Sequence, residues 1–571
     1  MELIPLEELT NEFQHLDELE ACQYLEELGR ALPEFPEQLR TDQLLVPGCQ
    51  SRVWLITRLS ASESPVLEIV ADSDAMVVKG LVFVVMCMYC GRTPSDVLAV
   101  DYRNFFDRLG LGRLILPQRK NGLFSMVKRI RLFAESTLED EFVAAGATAK
   151  SRDAVSAAEH VVPRAIETAR ADFPVFGQQL PTGGKVVYLD SASSAQKPVA
   201  VIEKEREVEE TYYANAFRGR YYFGNRIDDE IEAAREKVRA LIGAASADEI
   251  IFTSGTTMSI NLVADCWGRK FLQPGDEVVI NEMEHHANLV PWQRVAAERG
   301  AVLKFIPLTA DGELDLSQLE QTITADCKLV AVSGMSNVLG TINPIDSIAA
   351  RAAEVGALIL VDAAQSVPHA AVDATSPPVD FLAFSGHKLY GPTGIGILYA
   401  RREMLQAMDP FFGGGHMIER VGREHSTWAE PPAKFEAGTI PIVQAIALGA
   451  AVDYVQSIGF DAIHAHERQL LRSAHQRLES IPGLTIYGPP VERKGAIVSF
   501  TISGISAEDL AWRLDRAGVF TRHGHHCTML LHDWLGTAAT TRASFGLYNT
   551  MEDVVALEQA LRAALHEIGT P

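Results

Sequence analysis

The sequence predicts an α/β fold: a large domain on a mainly parallel sheet with a small α+β subdomain behind it, and a separate small α+β domain in front. Three observations predict it. From residue 164 onward, short β-branched runs alternate with helical stretches (EIIFTSG then NLVADCWGRKF, DEVVINE then PWQRVAAERG, KLVAVSG then DSIAARAAEVG, then ALILVDA), the pattern of βαβ units. At 571 residues the chain exceeds what one hydrophobic core serves. Around residues 141–163 the composition turns to Ala, Ser, Thr and charge (VAAGATAKSRDAVSAAEH), which reads as a linker between residues 1–140 and 164–571.

Composition narrows the function classes. With 47% apolar and 22% charged residues the chain has ordinary globular material. A formal charge of −24 argues against nucleic acid or an anionic membrane as partner. The basic stretch Arg113 to Arg131 alternates charge with Leu123, Met126, Val127 and Ile130 at helical spacing, as a solvated helix face does. Seven scattered cysteines make no disulfide framework and suit a reducing cytoplasm. The acidic start MELIPLEELTNEF lacks a signal-peptide pattern, so export is not expected. The apolar run Leu81 to Tyr89 is about half of the roughly 20 residues a membrane span needs.

In the front block, acidic amphipathic material up to Leu39 precedes a strand-like run at Val53 to Leu59 and an apolar helix near Val77 to Cys90. Cys87 and Cys90 form C-x-x-C, but within LVFVVMCMYC they read as a buried helix face. Cys49 stands apart, in Leu-Val-Pro-Gly-Cys-Gln-Ser, where Pro and Gly make a turn.

In the rear block, Ser254-Gly255-Thr256-Thr257 follows the strand EIIFT and opens a helix, gathering hydroxyls and free N–H groups where an anion is favoured. Alone it is equally an ordinary capped turn. After ALILV, Asp362 ends a strand, with Gln365 three residues on, and Ser385-Gly386-His387-Lys388 follows. A carboxylate for a pyridinium nitrogen and a lysine for a Schiff base are what a pyridoxal cofactor requires. The last block, from about residue 445, mixes helices with the strand AIVSFTI. It carries Arg522-His523-Gly524-His525-His526-Cys527, a thiol among imidazoles and an arginine that favour its thiolate. One cysteine with adjacent histidines lacks the ligand spacing of a zinc site, so no metal is expected.

The segments SGTT, EMEHHANLVPWQ, SNVLGTINP, VDAAQSVPH, FSGHKLYGPTGIGILY, GGGHMI, FEAGT and RASFGLYNT together resemble the SufS-type cysteine desulfurases, fold-type I pyridoxal-phosphate enzymes, over residues 165 to 571. The resemblance implies pyridoxal 5'-phosphate on Lys388 as Schiff-base lysine, His285 stacked on the ring, Asp362 on its nitrogen and Gln365 on its phenolic oxygen. Thr257, Ser385 and His387 would hold the phosphate, with Thr256 nearby and Thr439 supplied by a second subunit of a homodimer. Asn337, Arg542 and Arg522 would hold the L-cysteine substrate, and Cys527 would take its sulfur as a persulfide, leaving alanine. Where the family shows N-V-H-R-G, this chain has Phe217 in place of the histidine. Leu530 and Ile440 stand where prolines are common.

LVPGCQSRVW, ADSDAMVVKGL and PQRKNGL resemble SufE-type sulfur acceptors over residues 1–140, which implies Cys49 as acceptor and an iron-sulfur scaffold as downstream partner. A tether of about 25 residues treated as a flexible coil spans roughly 25–30 Å, giving effective concentrations near millimolar. The residues leave open a selenocysteine lyase or cysteine sulfinate desulfinase, an aminotransferase, and a non-catalytic sulfur-relay scaffold.

Overall fold

A computed structural model describes residues 4–137 and 165–567 with interruptions, the longest at 47–51, 61–64 and 110–122. The sequence-predicted linker lies outside the described residues. The chain divides into two units, 1–154 and 155–571.

In the first unit, α1 (Leu6–Gln14) and α2 (Glu18–Arg30) precede an antiparallel pair, β1 (Val53–Leu59) and β2 (Leu67–Ser73), and then α3 (Met76–Tyr89). α3 is apolar almost all round, and such a helix is stable only when enclosed. Val78 and every residue from Gly80 to Tyr89 are buried. Gly80 lets α2 lie directly on it, since a Cβ there would meet the Leu25 carbonyl at 2.0 Å. Burial pushes the Cys87 thiol up to about 11 and raises that of Cys90, so both behave as core. Buried Asp72 takes Arg40 at 2.7 Å and Lys79 at 2.8 Å.

The second unit is built on seven strands: β3 (Ile250–Thr253), β4 (Glu277–Asn281), β5 (Val302–Ile306), β6 (Cys327–Ser333), β7 (Leu358–Asp362), β8 (Phe381–Ser385) and β9 (Gly396–Ala400). Their order is β3-β9-β8-β7-β6-β4-β5, parallel from β8 to β5, with β9 antiparallel to both neighbours. The central strands are buried on both faces, as a sheet covered by helices requires. Among the covering helices are α4 (Tyr222–Leu241), α5 (Thr256–Val263) and the apolar α6 (Ile442–Ile458), which is buried in the main core.

From α6 the chain bends by 75° into α7 (Phe460–Leu478). A second sheet follows, ordered β10-β11-β13-β12 from β10 (Leu484–Tyr487), β11 (Ile497–Ile502), β12 (Arg522–Gly524) and β13 (Thr540–Ser544). Its core also takes in Val187 and Leu189 from the start of the unit. Among the described residues no single helix is long and apolar enough to cross a membrane.

Candidate active site

Parallel strands all end at one edge of a sheet, and ligands of such folds sit there. A cavity of about 210 Å³ opens at that edge. β3 delivers Thr256 and Thr257 on the first turn of α5, where helix N–H groups lack intrahelical acceptors. Gly396 on β9 permits this, because a Cβ there would lie 2.3 Å from the Gly255 Cα. β8 ends in Ser385, and the short turn after it brings His387 and Lys388 to the same wall. Ser385 Oγ accepts from the Thr256 N–H at 2.9 Å and shares a hydrogen with Thr256 Oγ1 at 2.7 Å.

β7 ends in Asp362, whose Oδ1 accepts from the Ala364 N–H at 3.0 Å. Burial raises this carboxyl, and the Lys388 ammonium opposes the rise. Burial likewise pushes the Lys388 amine down to about 8, against the pull of Asp362. The His285 imidazole is pushed down to about 4, first by burial and then by Lys388, so it is neutral at neutral pH. Gln365 donates to the Ala192 carbonyl at 2.7 Å, while its buried Oε1 has no partner among the described residues.

Opposite this bed stand the polar arms. Arg542, 2% exposed, donates from Nη1 to the Asn337 carbonyl at 2.8 Å. Its Nη2 donates to Asp190 at 3.0 Å and to Ser193 at 2.6 Å, and its Nε is without a partner among the described residues. Arg522 is exposed and donates to Ser193 Oγ at 2.9 Å.

Cys527 is exposed at the cavity rim. It and His526 have φ of 59° and 50°, a left-handed pair that costs roughly 1–2 kcal/mol per residue. Among the bonds that hold the loop in that conformation, three come from Asn337 and His286. Asn337 Nδ2 donates to the His526 carbonyl at 2.8 Å, the His286 N–H to the Cys527 carbonyl at 2.8 Å, and the Met529 N–H to His286 Nε2 at 3.1 Å.

One cavity thus gathers the sequence-predicted Thr256, Thr257, His285, Asn337, Asp362, Gln365, Ser385, His387, Lys388, Arg522, Cys527 and Arg542. Thr439 is not among its walls; it is exposed and pairs with Asn215 at 3.3 Å. Cys49 lies outside the described residues. At the departure from the family pattern, the Phe217 ring stacks on His416 with centroids 3.8 Å apart. Leu530 and Ile440 pack into the apolar cores.

Sequence reasoning missed Asp190 and Ser193, which orient both arginines, His286, which pins the thiol loop, and Glu284. Buried Glu284 accepts from Asn288 at 2.8 Å and from the Ser333 N–H at 2.7 Å, and burial pushes it up to about 8. It fixes the segment that carries His285. Its adjacency to His285 in EMEHH was the one signal available.

The donor set fits pyridoxal phosphate. Hydroxyls and N–H groups of a helix N-terminus suit a phosphate, Asp362 suits a ring nitrogen, and the open Gln365 Oε1 suits a phenolic hydroxyl. The comparisons with known proteins agree. The aminotransferase class-V family model matches residues 187–557, and the Fe-S metabolism associated domain (SufE) matches residues 7–134. A "probable cysteine desulfurase" of Halalkalibacterium halodurans is 48% identical over 397 residues, covering 70% of this chain and 97% of that protein. One of Halobacterium salinarum is 47% identical over 402 residues, with coverage of 70% and 97%. The solved cysteine desulfurase CsdA of Escherichia coli is 38% identical, covering 70% of this chain and 98% of its own, with a TM-score of 0.66. The apo cysteine desulfurase of Thermococcus onnurineus is 36% identical, covering 71% and 99%, with a TM-score of 0.68. The chain belongs to the aminotransferase class-V family, as a pyridoxal-phosphate-dependent cysteine desulfurase with a SufE domain at its front.

Proposed function

We propose that this enzyme draws sulfur from L-cysteine onto Cys527 and passes it to Cys49 of its own front unit, for delivery to an iron-sulfur scaffold. The observation that carries this reading is a single cavity walled by Lys388, Asp362, Arg542 and an exposed Cys527. Pyridoxal phosphate, when bound, supplies an electron sink that makes the Cα proton of an amino acid acidic. Thr256, Thr257, Ser385 and His387 would hold its phosphate, Asp362 would pair with its ring nitrogen, and His285 would face its ring. Arg542, buried and steadied by Asp190 and Ser193, receives the substrate carboxylate, with Arg522 at the rim. Lys388 Nζ, whose basicity is lowered by burial, takes the Cα proton near neutral pH and returns it. Cys527 Sγ attacks the substrate sulfur: the C–S bond breaks, an S–S bond forms, and the remaining three-carbon fragment takes up protons to leave alanine.

Transfer onward is thiol exchange, which needs an accessible thiolate at Cys49. The exposed aromatic side chains of Tyr213, Tyr221, Tyr222 and Phe223, close in sequence to the Asn215 that holds Thr439, support a homodimer in which Thr439 serves the partner's cavity. A cytoplasmic setting suits free thiols.

The test is intact-mass and peptide analysis after L-cysteine addition. One extra sulfur on Cys527, followed by one on Cys49, is expected. Sulfur on Cys49 in a Cys527→Ser chain would overturn the order of transfer.

A further inference from the structure

A second cavity, of about 250 Å³, is larger than the reaction cavity. It is walled by residues 334–345 after β6, by the end of β7 and the loop after it, by α7 and by residues 494–496 ahead of β11. Among the described residues, Met335 is the one side chain that walls both cavities. Its body is apolar, lined by Ile342, Val361, Val372, Val379, Leu382 and Leu471. Its mouth lies between exposed Ala370, Asp373 and His464.

Into this apolar space the fold places a cation without a counter-ion. Lys494 is 3% exposed, donates to the Tyr487 carbonyl at 3.2 Å, and pairs with no carboxylate among the described residues. Its position is fixed by the backbone: the Gly495 N–H donates to the Gly340 carbonyl at 2.9 Å and the Ile342 N–H to the Arg493 carbonyl at 3.2 Å. Asn343 Oδ1, Ser366 Oγ and Arg468 Nε, also on the walls, have no partner among the described residues. Glu467 is already engaged by His369 at 2.8 Å. A buried unpaired ammonium is costly, and so is a buried polar atom without a partner. Nothing in the desulfuration chemistry uses these groups.

We propose that this cavity binds a small monocarboxylate with an apolar body. Lys494 meets the carboxylate, Arg468 and Ser366 complete its hydrogen bonds, and the six aliphatic residues enclose a chain of about six to eight carbons. A dianion is disfavoured by Glu467 at the same wall, and a zwitterion by the apolar lining. The inference stands independently of the sulfur relay.

The experiment is isothermal titration of the full-length, cofactor-loaded enzyme with octanoate, octanol and octylamine, in the presence of saturating L-alanine to occupy the reaction cavity. Octanoate is expected to bind one per chain, with octanol and octylamine weaker by about tenfold or more. Lys494→Met keeps the volume and removes the charge, and should weaken octanoate by about tenfold or more. Ala370→Trp, an exposed change at the mouth, should block binding by filling the space. Both variants should turn over cysteine as the unaltered enzyme does. Equal octanoate affinity in all three proteins, or no saturable heat with the unaltered enzyme, overturns the proposal.

Discussion

Asp362 and Cys527 wall the same cavity, yet the chain holds them by different means. The carboxylate ends a strand paired on both sides by β6 and β8 and is 5% exposed. The thiol is exposed, on two successive residues of left-handed backbone held by bonds from Asn337 and His286. A cofactor bed must not move while charge develops on it, so it is built into the sheet. In the proposed relay the thiol meets the substrate sulfur and then a second thiol, which needs access, and Cys527 is carried on an exposed loop. On the proposed roles the bed supplies carbon chemistry and the loop supplies sulfur chemistry, so the two should fail separately.

The sharpest test of that separation is Cys527→Ala. Sulfur release should fall to background while cofactor content and absorbance are unchanged, since no bed residue is touched. Loss of cofactor in this variant would show that the loop is part of the bed. Lys388→Ala is the converse. Alanine formation should fall by about 10⁴-fold, the upper range for loss of a positioned base, while Cys527 still reacts with a thiol-directed alkylating reagent at the original rate. A slowed alkylation would tie the thiol's state to the lysine.

The bed's lysine can also be set against the lysine of the second cavity. Burial lowers both amines, Lys388 to about 8 with Asp362 opposing, and Lys494 to about 7 with burial as the sole cause. A lysine whose folded value lies below its ordinary 10.5 binds fewer protons folded than unfolded between those limits. Stability then rises with pH from about 7 to 10.5, and the full cost of the buried charge is present below about 7. Lys494→Met should therefore be more stable than the unaltered enzyme at pH 7, by up to about 4 kcal/mol. The gap should close as pH approaches 10.5, read from urea denaturation at several pH values. A gap independent of pH would mean that Lys494 is not buried as a charge.

How much of this was legible follows from the same division. The bed was readable because each part is a short contiguous motif at a strand's end: SGTT, VDAAQ, FSGHK. The alternation that marks strands and helices predicted the sheet, but periodicity carries no strand direction, and antiparallel β9 was invisible to it. Asp190 and Ser193 reach Arg542 across 352 and 349 positions of chain, a separation at which spacing says nothing. The second cavity is assembled from four stretches of chain, and although two of them overlap SNVLGTINP and VDAAQSVPH, neither motif signals that Lys494 and Arg468 converge on the same space. Glu284 acquires meaning when Asn281, Asn288 and Ser333 converge on it.

The smallest expected effect probes how the loop is held. His286 makes two bonds to it, and substitution to alanine removes one: the side-chain Nε2 that accepts from the Met529 N–H at 3.1 Å. The backbone bond to the Cys527 carbonyl survives. One neutral hydrogen bond is worth about 0.5–1.5 kcal/mol, so His286→Ala should slow persulfide formation by about 2- to 13-fold with cofactor absorbance unchanged. His286→Gln, which restores an acceptor, should recover part of the loss. Burial, with His525 nearby, holds the His286 imidazole below its usual range, so its nitrogen stays an acceptor into mildly acid solution. Once pH falls far enough to protonate it, the unaltered enzyme loses the same bond, and the rates of the two proteins should converge. If they stay apart down to the lowest pH at which the enzyme is folded, His286 acts on Cys527 by some route other than this acceptor.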